Sequence, residues 1–171
     1  MPRLFELSVD SPVSVDEILA AFGDEEYWRA RLAAFDSGSA TLESLSVDAD
    51  GVVRVVLDVR LFANRLPKFV TALARSDFAM TRTETWFPIG DGQGRGEIEV
   101  AVPGAPVSAV GEVLLAALAN GSRLEFSTTV QVTVPLVGGQ VEDFIVGRLG
   151  KEIGAVQGFT DGWIAANLRG L

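Results

Sequence analysis

The stretch FAMTRTETWF, residues 78–87, brings together the side chains in this chain that most invite chemistry. Read as a strand, its alternation sets Phe78, Met80, Arg82, Glu84 and Trp86 on one side and Ala79, Thr81, Thr83 and Thr85 on the other. The aromatic and thioether side chains mark the first side as the inner one, so an arginine and a glutamate enter an otherwise apolar interior. Burying a charge is costly unless it is paired or hydrogen-bonded. Either Arg82 and Glu84 orient the polar head of a ligand in an apolar pocket, or they pair with each other or with a neighbouring strand, or the face there is already wet. A β-bulge would reverse the facing altogether.

The remaining candidates have structural explanations. The chain contains no cysteine and no histidine. This removes thiolate chemistry, disulfides, Cys-based zinc sites, Ser-His and Cys-His arrangements and the commonest metal ligand. Acid–base or nucleophilic catalysis would have to rest on residues such as Glu84, Glu97, Glu99, Tyr27 or Arg82. No pair among them has a recognisable spacing, and Glu97 and Glu99 fall on the solvent side, opposite Ile98 and Val100. The glycines of GDGQGRGE, at 90, 92, 94 and 96, imitate a phosphate cradle but lead into a strand, where a phosphate loop opens a helix; a hairpin connection is expected. Asp48–Gly51, DADG, starts like a calcium loop but lacks the closing glutamate, and is expected to be a turn. Asp24, Glu25 and Glu26 suit the first turn of a helix, and Tyr27 and Trp28 after them suit a core. No catalytic residue, metal ligand or cofactor is therefore assigned.

The elements that position these residues can be read from the hydrophobic pattern. RLFELSVDS alternates as a first strand. Ser14 and Glu17 have capping-box spacing ahead of a short helix, and a second short helix starts near Asp24, with Trp28, Leu32 and Phe35 on one side. Two strands follow around Asp50-Gly51, then a short helix near 66–75 opened by Pro67. Strands at FAMTRTETWF, GEIEVAVPG and VSAVGEVLLAAL precede the Asn120-Gly121 hairpin signal and the alternating SRLEFSTTVQVTVP, which turns Leu124, Phe126, Val130, Val132 and Val134 inward. From Gln140 to about Leu168 the period is helical. Strands segregated from helices argue for an α+β fold, a curved antiparallel sheet of about seven strands in β-α-α-β6-α order covered by a long C-terminal helix. No linker or repeat divides residues 1–171, so one domain is expected.

Fourteen basic residues against 23 acidic ones give a net charge of −9, which disfavours nucleic acid as a partner. No apolar run spans a bilayer and the N-terminus has no signal core, so a soluble cytoplasmic protein is expected. The arginine-over-lysine bias, with abundant Ala, Val and Gly, points to a GC-rich bacterial genome.

This order of elements resembles the helix-grip fold of the START-like (SRPBCC) superfamily, which includes birch-pollen-allergen-like and polyketide-cyclase-like groups. More specifically it resembles a bacterial family of unknown function within it. The residues that carry the resemblance are DEEYWRARLAAF after the first strand, TETWF before the glycine-rich turn, and VTVPLVGGQVEDFI leading into the last helix. The resemblance implies an apolar cavity between the sheet and the last helix, holding a lipid, a sterol-like or polyketide-like compound or another hydrophobic molecule. It supplies no catalytic motif. Facing arguments assign the lining to Phe78, Met80, Arg82, Glu84, Trp86, Phe126, Ile145, Leu149, Ile153, Val156 and Trp163. The expected function is binding or carriage of such a molecule. The alternatives are a cyclase- or hydrolase-type enzyme using Glu84 or Arg82, and an interaction module without a functional pocket.

Five glycines, at 147, 150, 154, 158 and 162, punctuate the last helix. Each interior glycine costs a helix roughly 1 kcal/mol relative to alanine. They fall mostly opposite the stripe Ile145–Leu149–Ile153–Val156–Trp163. Two explanations follow: a helix kept weak on its solvent side so that it opens for a ligand, or a ridge that admits a second copy as a homodimer.

Overall fold

The computed structural model describes residues 2–35, 39–61, 68 and 78–169, with Ser39, Leu61 and Phe78 described by backbone alone. The short helix expected near 66–75 lies outside the described residues apart from Lys68. Strand β1 (Arg3–Ser11) is followed by helices α1 (Val15–Phe22) and α2 (Glu25–Phe35). Strands β2 (Ser39–Val47), β3 (Val53–Leu61), β4 (Phe78–Gly90), β5 (Gln93–Ala101), β6 (Val107–Leu118) and β7 (Gly121–Val132) come next, and helix α3 (Gly138–Asn167) closes the order.

The seven strands form one antiparallel sheet in the order β1-β7-β6-β5-β4-β3-β2. The pair α1 and α2 therefore carries the chain across the whole sheet, from one edge strand to the other. Local chemistry explains both helices. Ser14 Oγ accepts from the Glu17 N–H at 3.1 Å and Glu17 Oε1 accepts from the Ser14 N–H at 3.0 Å, completing the capping box. In α2, Tyr27 and Trp28 are fully buried, and the Trp28 indole N–H donates to the Phe22 carbonyl at 2.7 Å, locking the two helices together.

The register shows which side chains share the concave face. One row across it reads Phe5, Thr128, Gly111, Ile98, Glu84, Val55, Leu45; the next reads Val130, Ala109, Val100, Arg82, Leu57, Leu42. The inner facing of Met80, Arg82, Glu84 and Trp86 thus follows the expected alternation through β4, whose register shift falls only beyond Pro88. In β2 a bulge lies between Leu42 and Ser44.

Two glycines of GDGQGRGE do more than connect strands. Gly90, Asp91 and Gly92 make the turn, all with positive φ. Gly94 and Gly96 lie within β5, buried on the concave side. The Trp86 ring lies so close over Gly96 that a Cβ there would stand 2.4 Å from it.

Helices α1 and α2 cover one end of the concave face, burying Val53, Val55, Trp86, Val113 and Leu115. Helix α3 packs mainly along β1 and β7 and meets α1 and α2 near its C-terminal end. Its buried positions are Gly138, Val141, Glu142, Gln157, Thr160 and Ile164. Sequence reasoning set the helix's central stripe on Ile145, Leu149, Ile153, Val156 and Trp163, all of which are half-buried. The deepest line instead includes Gln157 and Thr160, whose polar atoms find partners. Ser11 Oγ and Gln157 Nε2 donate to the Asp161 carboxylate at 2.6 and 2.9 Å, pinning α3 to β1. No helix among the described residues is long and apolar enough to cross a membrane.

Candidate functional site

The inner-face charges of β4 are not isolated. Glu84 is 1% exposed, and Arg82 Nε donates to its Oε2 at 2.7 Å. The Trp86 indole N–H donates to its Oε1 at 3.1 Å. From α2, Arg31 Nη2 stands 3.6 Å from Oε2, with its guanidinium 4.7 Å from the Trp28 ring centroid. Alternation aligns Arg82, Glu84 and Trp86 two residues apart, and helical spacing turns Arg31 in beside Tyr27.

The electrostatics follow from this geometry. Burial pushes the Glu84 pKa up, but the charges of Arg82 and Arg31, with the hydrogen bonds from Arg82 and Trp86, outweigh it and hold the carboxyl below its ordinary range. Glu84 is therefore an anion with its acceptor sites engaged, a poor proton acceptor for catalysis. Burial opposes the charge on Arg31, and Glu84 together with Tyr27 outweighs it, so the Arg31 pKa is raised. Burial also raises the Tyr27 pKa, so its hydroxyl stays protonated. The single hydroxyl proton of Thr160 is given to the Val156 carbonyl at 2.8 Å, so Tyr27 is the donor in the 2.7 Å bond between Tyr27 and Thr160. That bond ties α2 to α3.

Beyond this cluster the concave face changes character. Val59, Met80, Arg82, Ile98, Val100 and Ala109 are all half-exposed, and the Arg82 side chain is 32% exposed. On α3, Ile145, Leu149, Val156 and Trp163 fall within about 40° of one another at 100° per residue. Trp163 packs edge-on against Tyr27 at 5.3 Å, whereas Gly150, on another flank, is turned toward Phe5 of β1, which a Cβ added there would meet at 3.5 Å. The helix thus leaves an apolar flank half-exposed, and the sheet leaves an apolar stretch half-exposed that includes Arg82, next in alternation to the buried Glu84.

The sequence-derived lining residues divide accordingly. Met80, Arg82, Leu149 and Ile153 are half-exposed, as are Ile145 and Val156. Trp86 is core: it lies 4.5 Å from Phe22, over Gly96. Phe126 and Trp163 are partly buried against the same core, and Glu84 is enclosed by its partners. The Phe78 side chain lies outside the described residues. Arg31, Tyr27 and Thr160 were missed as part of the constellation. The signal for Arg31 was present in the sequence, a lone cation four residues after Tyr27 on the buried side of α2. Two surface concavities lie away from these residues. One, of about 420 Å³, is bordered by Asp10–Pro12 and Leu118–Asn120; the other, of about 320 Å³, by Pro2, Gln131–Pro135 and Glu142.

Asp48 Oδ1 accepts from the Asp50 and Val52 N–H groups at 2.8 and 3.0 Å, with Gly51 at φ 82°. The DADG segment is thus a backbone-bonded turn.

A seven-stranded antiparallel sheet gripped by a long C-terminal helix, with two short helices closing one end, is the helix-grip fold of birch-pollen-allergen-like and START-like proteins. Solved structures agree. The norcoclaurine synthase of Thalictrum flavum matches with a TM-score of 0.55 over 98% of this chain and 88% of that one, at 12% identity. An uncharacterized Rhizobium leguminosarum protein matches with a TM-score of 0.52 over 94% and 95% of the two chains, at 8% identity. The chain belongs to the family described as "Protein of unknown function (DUF2505)", whose model matches residues 6–164. Its relatives include the uncharacterized proteins Rv0481c of Mycobacterium tuberculosis and Mb0491c of Mycobacterium bovis. Each is 37% identical over 98% of this chain and 100% of its own length.

Proposed function

We propose that this protein binds a hydrophobic small molecule on the concave face, between the sheet and the inner flank of α3. The observation that carries the reading is that the apolar residues Met80, Ile98, Val100 and Ala109 on the concave face, and Leu149 and Val156 on α3, are all left half-exposed. Burying apolar surface there is worth about 25 cal/mol per Å² before the costs of ordering the ligand. Among proteins of the same fold, a Thalictrum flavum norcoclaurine synthase structure holds dopamine and hydroxybenzaldehyde; here the parallel extends only to an organic molecule in a fold of this shape. The engaged, ionised state of Glu84 favours binding or carriage over a reaction that uses it as a base.

Gentle purification followed by native mass spectrometry tests the reading. A co-purifying apolar molecule is the expected result. The reading fails if preparations from several hosts carry nothing and apolar ligands leave the methyl resonances of Met80, Ile98 and Leu149 unmoved.

A further inference from the structure

The cluster around Glu84 carries more positive than negative charge. Two guanidinium groups, from Arg31 and Arg82, converge on one carboxylate. The other buried carboxylate among the described residues, Glu142, accepts from the Val132 backbone N–H at 2.9 Å. It belongs to the β7 end of the sheet, three strand spacings or roughly 14 Å from β4, so it does not balance the excess. A local surplus of positive charge is notable inside a chain of net charge −9.

The two arginines differ in availability. Arg31 is 12% exposed and sandwiched between Glu84 and the Trp28 ring. Arg82 is half-exposed, and its hydrogen bond among the described residues uses Nε. A guanidinium presents five N–H donors in a planar fork. In Arg82 the Nε edge is held by Glu84, the terminal nitrogens make no hydrogen bond to the described residues, and the neighbours on the concave face by register and alternation are Val100 and Met80, with Ala109 beyond. Glu84 acts as a positioning residue: it fixes the fork and removes part of the entropy cost of ordering it, while Arg31 offsets the charge Glu84 would otherwise cancel.

We infer that the concave face is selective for apolar molecules with an anionic head, a carboxylate above all, received by the terminal nitrogens of Arg82. This inference rests on the concave face being the ligand site. It adds the sign of the ligand's charge and the residue that recognises it.

The test is displacement of the neutral probe N-phenylnaphthylamine by decanoate and by decanol, which share a chain length and differ in the head. A hydrogen bond to a charged group is worth about 1.5–3 kcal/mol, so decanoate should bind roughly ten- to a hundredfold more tightly than decanol. Arg82→Lys should retain most of that preference and Arg82→Met should abolish it. Because Arg82→Met also strips a partner from Glu84, Val100→Glu serves as the second variant: it sets an internal carboxylate directly across from Arg82 and should abolish the preference with Glu84 still paired. Isoleucine methyl shifts locate the binding, with Ile98 and Ile153 responding and the exposed Ile89 serving as control. Equal affinity for the two competitors at Ile98, or a preference that survives both Arg82→Met and Val100→Glu, overturns the charge inference and leaves the apolar site standing. If neither competitor moves Ile98 or Ile153, the site itself is wrong and the inference falls with it.

Discussion

Replacing Glu84 by glutamine tests how the buried cluster is held together. The substitution keeps the shape and leaves an oxygen to accept from the Trp86 indole, now at 3.1 Å from Oε1. It removes the negative charge that both arginines share. Breaking a buried pair by removing one partner costs about 3–5 kcal/mol, because the remaining charge is left desolvated. Arg82, 32% exposed, regains water easily, whereas Arg31, 12% exposed, does not. The cost is therefore expected at the lower end, about 3 kcal/mol. For a chain of this length, 1 kcal/mol moves the midpoint by about 2–4 °C, so Glu84→Gln should lower Tm by about 6–12 °C at neutral pH. Urea unfolding at constant m-value supplies the free energy directly. Adding Arg31→Met should recover much of the loss, since it removes the stranded charge. The pH dependence has a defined sign. The folded carboxyl is held below its ordinary 4.5, so its contribution is complete above that value and disappears as the pH falls through the lower, folded pKa. The glutamine variant lacks that titration and should lose less stability on acidification. A destabilisation below about 1 kcal/mol, unaltered by Arg31→Met, would refute the claim that Glu84 holds the two arginines.

Gly154→Ala and Gly158→Ala should each stabilise the protein by about 0.5–1 kcal/mol in thermal unfolding, because both positions are exposed and an added Cβ meets nothing within 4 Å. If the glycine ridge is a dimer contact, size-exclusion chromatography will show the same alanines dissociating it; if α3 is a weak lid, ligand exchange will slow instead. Gly96→Ala should destabilise by about 1–3 kcal/mol and shift the tryptophan fluorescence, since the new methyl displaces the Trp86 ring. At the other end of the molecule, the hydrogen bonds from Arg169 and then from the Ser14 N–H hold the Glu17 pKa down to about 2. Stability from this pair is therefore full above pH 4.5 and lost as the pH falls toward 2. Arg169→Ala should raise the Glu17 pKa in an NMR titration and, for so solvent-screened a pair, cost little stability. Leu136, fully exposed with φ 73°, should become more stable as Leu136→Gly, by about 1 kcal/mol in denaturant unfolding.

Alternation and turn chemistry made most of the fold legible. The period-two pattern of β4 and β7, the Asn120-Gly121 turn and the Ser14–Glu17 capping box each depend on neighbours a few residues away, so the amino-acid order specifies them directly. It also determined that Arg82 and Glu84 share the inner face, and that chemistry relying on histidine or cysteine has no place in this chain. The tertiary structure decided what those two charges face. Arg31 reaches Glu84 only because α2 lies over β4, more than fifty residues away in the chain, and no local periodicity encodes that packing. The same reason hid the role of Gly96, which is required by the indole of a residue on the adjacent strand, and the depth of Gln157 and Thr160, polar side chains that become core once Asp161 and Tyr27 satisfy them. Hydrophobic patterning reports which side of an element faces inward. Which polar groups survive there is settled by partners that folding brings together from distant parts of the chain.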